Sequence, residues 1–404
     1  DITQAGNVVS EGDTVFNAAG IFNMVAGSTA TVNTGAFTVT ADGVVNLQAV
    51  TAASDIGVRS NVGTINVLED MNTAQGRVEA IAGRNVLING DITSLLGISL
   101  ETLINGDIIQ NGGLNSAQGD ITAVSVQAIV MGSNASSTAT AGNIQYNAEN
   151  NVGVGNLSAA SGKIGIISNV GAVDDANGVA MNVVADILEI RSDSGVGTND
   201  QLETQVAMMD VINTGSGEVN FQQTGDVDLL ALKNTGDVGN INLISDQDIR
   251  FNPGSVDANR AVGFVFMRTT SGDFAGLLLA DLGNPDITAQ NATFLASAGT
   301  FGTLTRPITM DVPGSVLIDS SRLFDPRFVP PGPSQLSTTG FNVSLAGVVA
   351  AVASEQLVEI ETLAEIDPAI FTDLQNYSSE ETSIKMPQDQ LFEDELEVAD
   401  RTEF

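Results

Sequence analysis

The sequence predicts an all-β fold, a solenoid in which short strands stack turn upon turn. Segments that begin with glycine recur at Gly76, Gly97, Gly119, Gly142 and Gly162, a period of about 22 residues. Each segment holds two or three short runs of alternating apolar and polar residues, separated by Asn-Gly, Gly-Asp or Gly-Asn pairs. Such β-rich runs at this period are typical of a β-solenoid. The composition agrees, because 43% of residues are apolar but only 4% are aromatic, which suits a narrow aliphatic core.

The same period extends towards both ends of this region. Gly20, Gly43 and Gly63 continue it on one side, and Gly217 and Gly239 repeat it on the other. Runs such as 30–33, 37–40 and 45–48 place aliphatic residues on one side and Thr or Asn on the other, as half-buried strands do. Residues 174–178 and 195–204 interrupt the pattern and predict loops. Additional phenylalanines in 260–300 predict a wider or capped part of the coil.

Three regions are predicted. Residues 1–324 form a parallel β-helix of about 15 rungs, about 70 Å long, which ends near Ser321. Residues 325–335 contain four of the ten prolines and predict an extended linker, because proline cannot donate to a sheet ladder. Residues 336–404 predict an acidic segment with an apolar stretch at 341–353, short helices at 357–366 and 369–376, and a mobile tail. From Glu355 onward this segment has 15 acidic and 2 basic residues.

The charge excludes several classes of partner. The net charge of −35 argues against nucleic acid, which requires a basic stripe, and disfavours anionic membrane. No apolar run reaches the roughly 18 residues of a membrane span. The absence of Cys excludes disulfides and thiol chemistry. Because the chain begins at Asp1 without Met or a signal sequence, we interpret it as a mature product or a fragment.

Few residues suggest catalysis. The chain has no His, three Lys and eleven scattered Arg, which removes the usual general base and His-ligated zinc. Residues separated by one period should lie one rung apart, so Asp226 should stack near Asp248. This cluster is either a cation site, a glycosidase pair or, as we prefer, a set of solvated turn acids at Gly-Asp and Gln-Asp corners. The cluster contains five carboxylates: Asp226, Asp228, Asp237, Asp246 and Asp248. We therefore assign no catalytic, cofactor-binding or metal-binding residue and expect no cofactor.

Asparagines at the corners have a structural interpretation. Side-chain amides at Asn85, Asn240 and Asn242 are expected to bond along the stack, and Asn tolerates left-handed turns.

Several segments resemble the filamentous-haemagglutinin family of bacterial exoproteins. The rungs that carry the resemblance are GRVEAIAGRNVLINGDI, GDITAVSVQAIVM and GNINLISDQDIRF. Residues 302–308 are similar to the G-T-x-x-N-P-L segment near the end of such helices, with Arg306 in place of the Asn. The acidic ending at 365–371 and 387–395 is similar to that of very large haemagglutinin-like proteins. The resemblance implies a right-handed parallel β-helix, exported by two-partner secretion.

Two functions follow as hypotheses. The first is an extracellular structural or adhesive protein at the bacterial surface, a rigid stalk, matrix or filament component without catalysis. Its flat faces would bind cell-surface or matrix carbohydrate or protein through many weak contacts. The second is a polysaccharide-degrading lyase or hydrolase, since pectate-lyase-like enzymes share the fold. Because solenoid ends expose unpaired strand edges, we also predict that the chain continues from a longer polypeptide or stacks end to end with copies.

Overall fold

The computed structural model describes residues 1–278, 283–303, 305–324, 326–330 and 332–339, which form 39 β-strands and no helix. Every pairing between the described strands is parallel, and strands away from the two ends of the stack pair with strands one turn before and one turn after them. The predicted all-β parallel solenoid is therefore confirmed. No helix in the described part of the chain has the length and apolar character that a bilayer crossing requires.

In the first half, each turn contributes one strand to each of three columns. The first column has three-residue strands: β1 Ile2–Gln4, β4 Phe22–Met24, β7 Val45–Leu47, β10 Ile65–Val67, β13 Val86–Ile88, β16 Ile108–Gln110, β19 Ile129–Met131, β22 Val152–Val154 and β24 Val173–Asp175. The second column comprises β2 Val8–Ser10, β5 Thr29–Val32, β8 Ala49–Ala52, β11 Met71–Thr73, β14 Ile92–Ser94, β17 Gly113–Ser116 and β20 Ser136–Ala139. The third has five-residue strands: β3 Thr14–Ala18, β6 Phe37–Ala41, β9 Ile56–Ser60, β12 Val78–Ala82, β15 Ile98–Thr102, β18 Ile121–Ser125 and β21 Ile144–Ala148.

The columns are rearranged in the middle of the solenoid. The second and third columns fuse into three long strands: β23 Asn156–Ser168, β25 Val183–Ser192 and β26 Leu202–Asn213. A fourth long strand, β28 Val227–Asn234, continues the third column. Beyond them the third column divides in two, because β28 pairs with two separate strands of the next turn. The two resulting columns are β30 Ile249–Phe251 and β33 Phe274–Gly276, and β31 Val256–Ala258, β34 Ile287–Ala289, β36 Thr309–Asp311 and β38 Arg327–Phe328.

A single longer column replaces the first column in the second half. It consists of β27 Val219–Gln223, β29 Ile241–Ser245, β32 Phe264–Thr269, β35 Asn291–Phe301, β37 Ser315–Leu323 and β39 Gln335–Thr339. Each turn therefore keeps one long and two short sides, but the long side moves to a different place on the coil.

One row of inward residues runs through the whole described solenoid. Its members occupy one register position per turn and are mostly β-branched: Ile2, Phe22, Val45, Ile65, Val86, Ile108, Ile129, Val152, Val173, Val196, Val219, Ile241, Val265, Ala292, Val316 and Leu336. All except the two terminal residues are at most 2% exposed. β-branched side chains pack well on a pleated surface, so this row stabilises the stack. Its 16 members are joined by 15 steps from turn to turn, in agreement with the predicted solenoid of about 15 rungs.

The step with the most residues per turn coincides with the predicted rise in phenylalanine. The step from Val265 to Ala292 spans more of the chain than any other step of the inward row. Phe274 lies inside these turns with ring centroids 5.6 Å from Phe294 and 5.7 Å from Phe301. The three phenylalanine rings pack together in the buried interior of these turns.

The linker predicted at 325–335 is corrected by the structure. Arg327 and Phe328 pair with β36, and the strand that starts at Gln335 pairs with β37, so the coil continues to Thr339, beyond Ser321. The described prolines in this stretch lie outside the strands, where no ladder hydrogen bond is required of them. The predicted apolar stretch, helices and tail in 340–404 lie outside the described residues.

Candidate functional site: a charged face

Charged side chains gather on the outward side of the long strands in the middle of the solenoid. Alternation along much of β23, β25, β26 and β28 buries one set of side chains and presents the other set to solvent. Acidic and basic residues share these outward positions over five turns. We call this the charged face: Lys163, Glu189, Arg191, Asp210, Asp228, Lys233, Arg250 and Asp257.

Arg191 joins two carboxylates that would otherwise repel each other. Glu189 and Asp210 lie directly opposite each other on β25 and β26. The Arg191 guanidinium lies 3.2 Å from Glu189 Oε1 and 2.9 Å from Asp210 Oδ2, and it also donates to the Asp210 carbonyl at 2.9 Å. Lys163 forms an ion pair with the same glutamate. Opposed like charges destabilise a sheet, so Arg191 stabilises this pair of strands.

Replacing Arg191 by glutamine should destabilise the solenoid by about 1–2 kcal/mol, since two ion pairs are lost and two carboxylates are left opposed. The loss should be larger at low salt than at high salt, because salt screens the remaining repulsion. Urea denaturation at both salt concentrations measures it. Arg84→Gln is the control, because Arg84 is exposed and has no salt bridge within the described residues. Equal midpoints for the two variants would contradict the prediction.

Arg250 forms a second group with two of the predicted carboxylates. Its Nε donates to Asp228, and its Nη1 lies 3.5 Å from Asp226 Oδ2. Asp228 and Arg250 are directly opposite in the register of β28 and β30. The sequence analysis treated the arginines as scattered and therefore missed this group. Asp228 and Arg250 are one period apart, so the spacing rule applied to the aspartates would have found the pair.

Asp226 and Asp248 stack as the spacing predicted, and the contact is structural. Asp226 Oδ1 accepts a hydrogen bond from the backbone N–H of Asp248 at 3.2 Å. Asp248 Oδ1 accepts from the N–H of Asp273 at 2.8 Å, and Asp273 Oδ1 accepts from Thr300 at 2.7 Å. At these corners a carboxylate satisfies a backbone donor of the next turn.

The other two predicted carboxylates are separate from this row. Asp246 Oδ1 accepts the N–H of Gly225 at 2.6 Å. Asp237 lies on the turn after β28, and its carboxylate makes no hydrogen bond to another described residue. The five aspartates therefore do not converge on one point.

The predicted asparagine stacking is found at two of three positions. Asn85 Oδ1 accepts the N–H of Asp107 at 3.0 Å, and Asn240 Nδ2 donates to Glu218 at 3.0 Å, each across one turn. Asn242 differs, because its buried Oδ1 has no hydrogen-bond partner within the described residues. Asn242 lies within β29 and faces outward, so it is not at a corner, where a backbone N–H of the next turn could donate to it.

Lys233 and Asp257 face each other farther along the charged face. Burial raises the pKa of Asp257 above its ordinary value, and the nearby Lys233 ammonium lowers it in part. The Lys233 ammonium thus offsets part of the free-energy cost of removing water from the Asp257 carboxylate.

Among the described residues, Glu203 is a buried acid with a raised pKa, and it lies in β26, inside the segment 195–204 that was predicted to be a loop. It is 8% exposed, and its Oε2 has no hydrogen-bond partner there. Burial, and then repulsion from Asp175 and Asp200, raises its pKa from 4.5 to about 7. Sequence reasoning assigned this residue to a loop, whereas the structure places it at the start of β26. There it stacks against Asn182 of the preceding turn, whose Oδ1 accepts its N–H at 2.8 Å.

The chemistry available to the charged face is limited by its internal pairing. Three of its four basic side chains form salt bridges with carboxylates of neighbouring turns. The described residues include no group of three or more acids that could hold a metal ion. Shallow depressions lie elsewhere, one of them at residues 197–201 beside Asn220 and Asn242. The face therefore places carboxylates next to basic groups, most of which are already paired with those carboxylates.

Comparisons of this chain with family models, with curated proteins and with solved structures find no match.

Proposed function

We propose that the chain is a non-catalytic structural and adhesive element, a rigid β-solenoid stalk exposed at a bacterial surface. The observation that supports this best is the uninterrupted row of stacked inward residues over 15 turns, with the corner carboxylates bonded to backbone donors. A stack in which each turn contacts its neighbours along its whole length resists bending and displays long flat faces. The resemblance to filamentous haemagglutinins supports secretion by the two-partner route.

Surface exposure is the first test of this proposal. Antibodies against the purified chain should label intact cells of the source organism, and mild external proteolysis should remove the label. The same antibodies should reduce attachment of the cells to their natural substratum. A chain that is found only inside intact cells would contradict the proposal.

The charged face supports the alternative of a polysaccharide-degrading enzyme, because it brings carboxylates next to Lys163, Arg191 and Arg250. Incubation of the purified chain with polygalacturonate, alginate and neutral glucans, with and without Ca²⁺, distinguishes the two. We expect neither new reducing ends nor the ultraviolet absorbance of unsaturated products. Product formation that is lost in the Arg250→Gln variant would establish the enzyme instead.

A further inference from the structure

A straight row of small polar side chains runs along the outward side of the second column. It occupies one position per turn over seven consecutive turns, from β5 to the start of β23, and each member is directly opposite the next. We call this the hydroxyl-amide row: Thr31, Thr51, Asn72, Thr93, Asn115, Thr138 and Ser158.

The hydrogen-bonding groups of this row are free. All seven residues are partly or fully exposed, and none of their side chains makes a hydrogen bond to another described residue. The outward asparagines of the first column behave differently, because Asn66 donates to Asn46 at 2.7 Å and Asn46 donates to Asn23 at 2.9 Å. The hydroxyl-amide row thus retains donors and acceptors for another molecule.

The spacing of the row favours a linear ligand. Stacked strands are about 4.8 Å apart, so six steps place the seven side chains along about 29 Å. Hydroxyl and carboxamide groups both donate and accept hydrogen bonds, so each turn can contact a ligand group of either kind.

The chemistry of the row favours a neutral ligand. The seven side chains carry no charge and present no large apolar or aromatic surface, in a chain of net charge −35. An anionic polymer would find no arginine or lysine in the row and would be repelled by the whole molecule. A hydrophobic peptide or a lipid would find no apolar surface to cover. A linear neutral polysaccharide, with hydroxyl groups that repeat along its length, meets both conditions.

We propose that the hydroxyl-amide row binds linear neutral polysaccharide, lying along the solenoid axis, through repeated weak hydrogen bonds. This inference rests on the proposed adhesive function and names its ligand class and its surface. Each contact is weak because water competes for it, but contacts to one polymer act together and their combined affinity rises with the number of turns engaged.

The test is co-sedimentation of the full chain with insoluble cellulose, chitin and β-1,3-glucan, with soluble polygalacturonate as an anionic competitor. The Thr51→Val, Thr93→Val and Thr138→Val triple variant removes three hydroxyls but keeps the β-branched shape. We expect at least one neutral polysaccharide to bind the native chain, the triple variant to bind it at least tenfold more weakly, and polygalacturonate not to compete.

The matched control is a triple variant of outward threonines of the third column, Thr38→Val, Thr40→Val and Thr122→Val, which are also without side-chain hydrogen bonds within the described residues. It should bind as the native chain does, and circular dichroism should show both variants folded. Binding by the row variant equal to that of the control, binding to polygalacturonate alone, or no binding to any neutral polysaccharide would overturn the inference.

These outcomes are separable from failure of the proposed function. If antibodies label the cell surface but the chain binds no polysaccharide, the proposal of a structural stalk stands and only the proposed ligand of the hydroxyl-amide row is contradicted. Polysaccharide cleavage would remove the non-catalytic function, while the two triple variants would still decide whether the row is the binding surface.

Discussion

Gly119→Ala should destabilise the turns around β15 and β18 by about 2–4 kcal/mol, a large effect for the addition of a single methyl group. A Cβ at Gly119 would lie closer than 3.0 Å to the backbone of Leu96 and Gly97 in the preceding turn. Those atoms belong to stacked backbone, which cannot move aside as a flexible side chain would. The two turns would have to separate locally, with loss of the ladder hydrogen bonds between them.

Gly12→Ala provides the matched control, since Gly12 also precedes an aspartate but a Cβ there would have no atom within 4 Å. Hydrogen exchange of the amides in β15 and β18 measures the local free energy, which suits a solenoid because its turns can open independently. Exchange in the Gly119→Ala variant should accelerate about 30-fold or more. Equal exchange in the two variants would contradict the close stacking of the corners.

Glu203→Gln should make the protein more stable than the native chain above pH 7, by at most about 3 kcal/mol. The native carboxyl has a folded-state pKa of about 7 against an ordinary value of 4.5, so folding favours its protonated form. The stability that this provides is complete below pH 4.5 and is lost as the pH rises to about 7. Glutamine resembles the protonated form at every pH, so the variant avoids this loss.

Urea denaturation of both proteins between pH 4 and 9 measures the effect. The difference between native chain and variant should be absent near pH 4 and should reach its full value above pH 7. Glu79→Gln, at an exposed outward position of β12, is the control and should show no such pH-dependent gain. A Glu203→Gln variant that is less stable than the native chain at pH 8 would show that the buried carboxylate has a partner at that pH.

The local alternation of residues was sufficient to predict the strands. Residues 37–40 and 45–48 were expected to expose Thr and Asn and to bury aliphatic side chains, and β6 and β7 do so. This works because a strand's side chains alternate strictly between its two faces, whatever the rest of the chain does. The stacking of Asp226 on Asp248 was predictable too, because no irregular loop separates them.

The composition of the charged face was not predictable in the same way. Lys163 pairs with Glu189 and Arg191 pairs with Asp210, each across a single turn, but the two pairs are separated by different lengths of chain. The loops between the strands vary in length, so a fixed step from turn to turn assigns the wrong neighbours there. The continuation of the coil past residue 324 was missed because proline content was taken to exclude strands, whereas one strand lies between the prolines and the next begins just after them.

By itself, the sequence determined the solenoid, its number of turns and the alternation that puts the hydroxyl-amide row outside, because these properties depend on local period and composition. Only the tertiary structure decided which charges meet on the charged face, where the columns are rearranged and why Glu203 is buried. These properties depend on the register between turns. The lengths of all the loops influence that register, and the packing of the inward row from Ile2 to Leu336 fixes it.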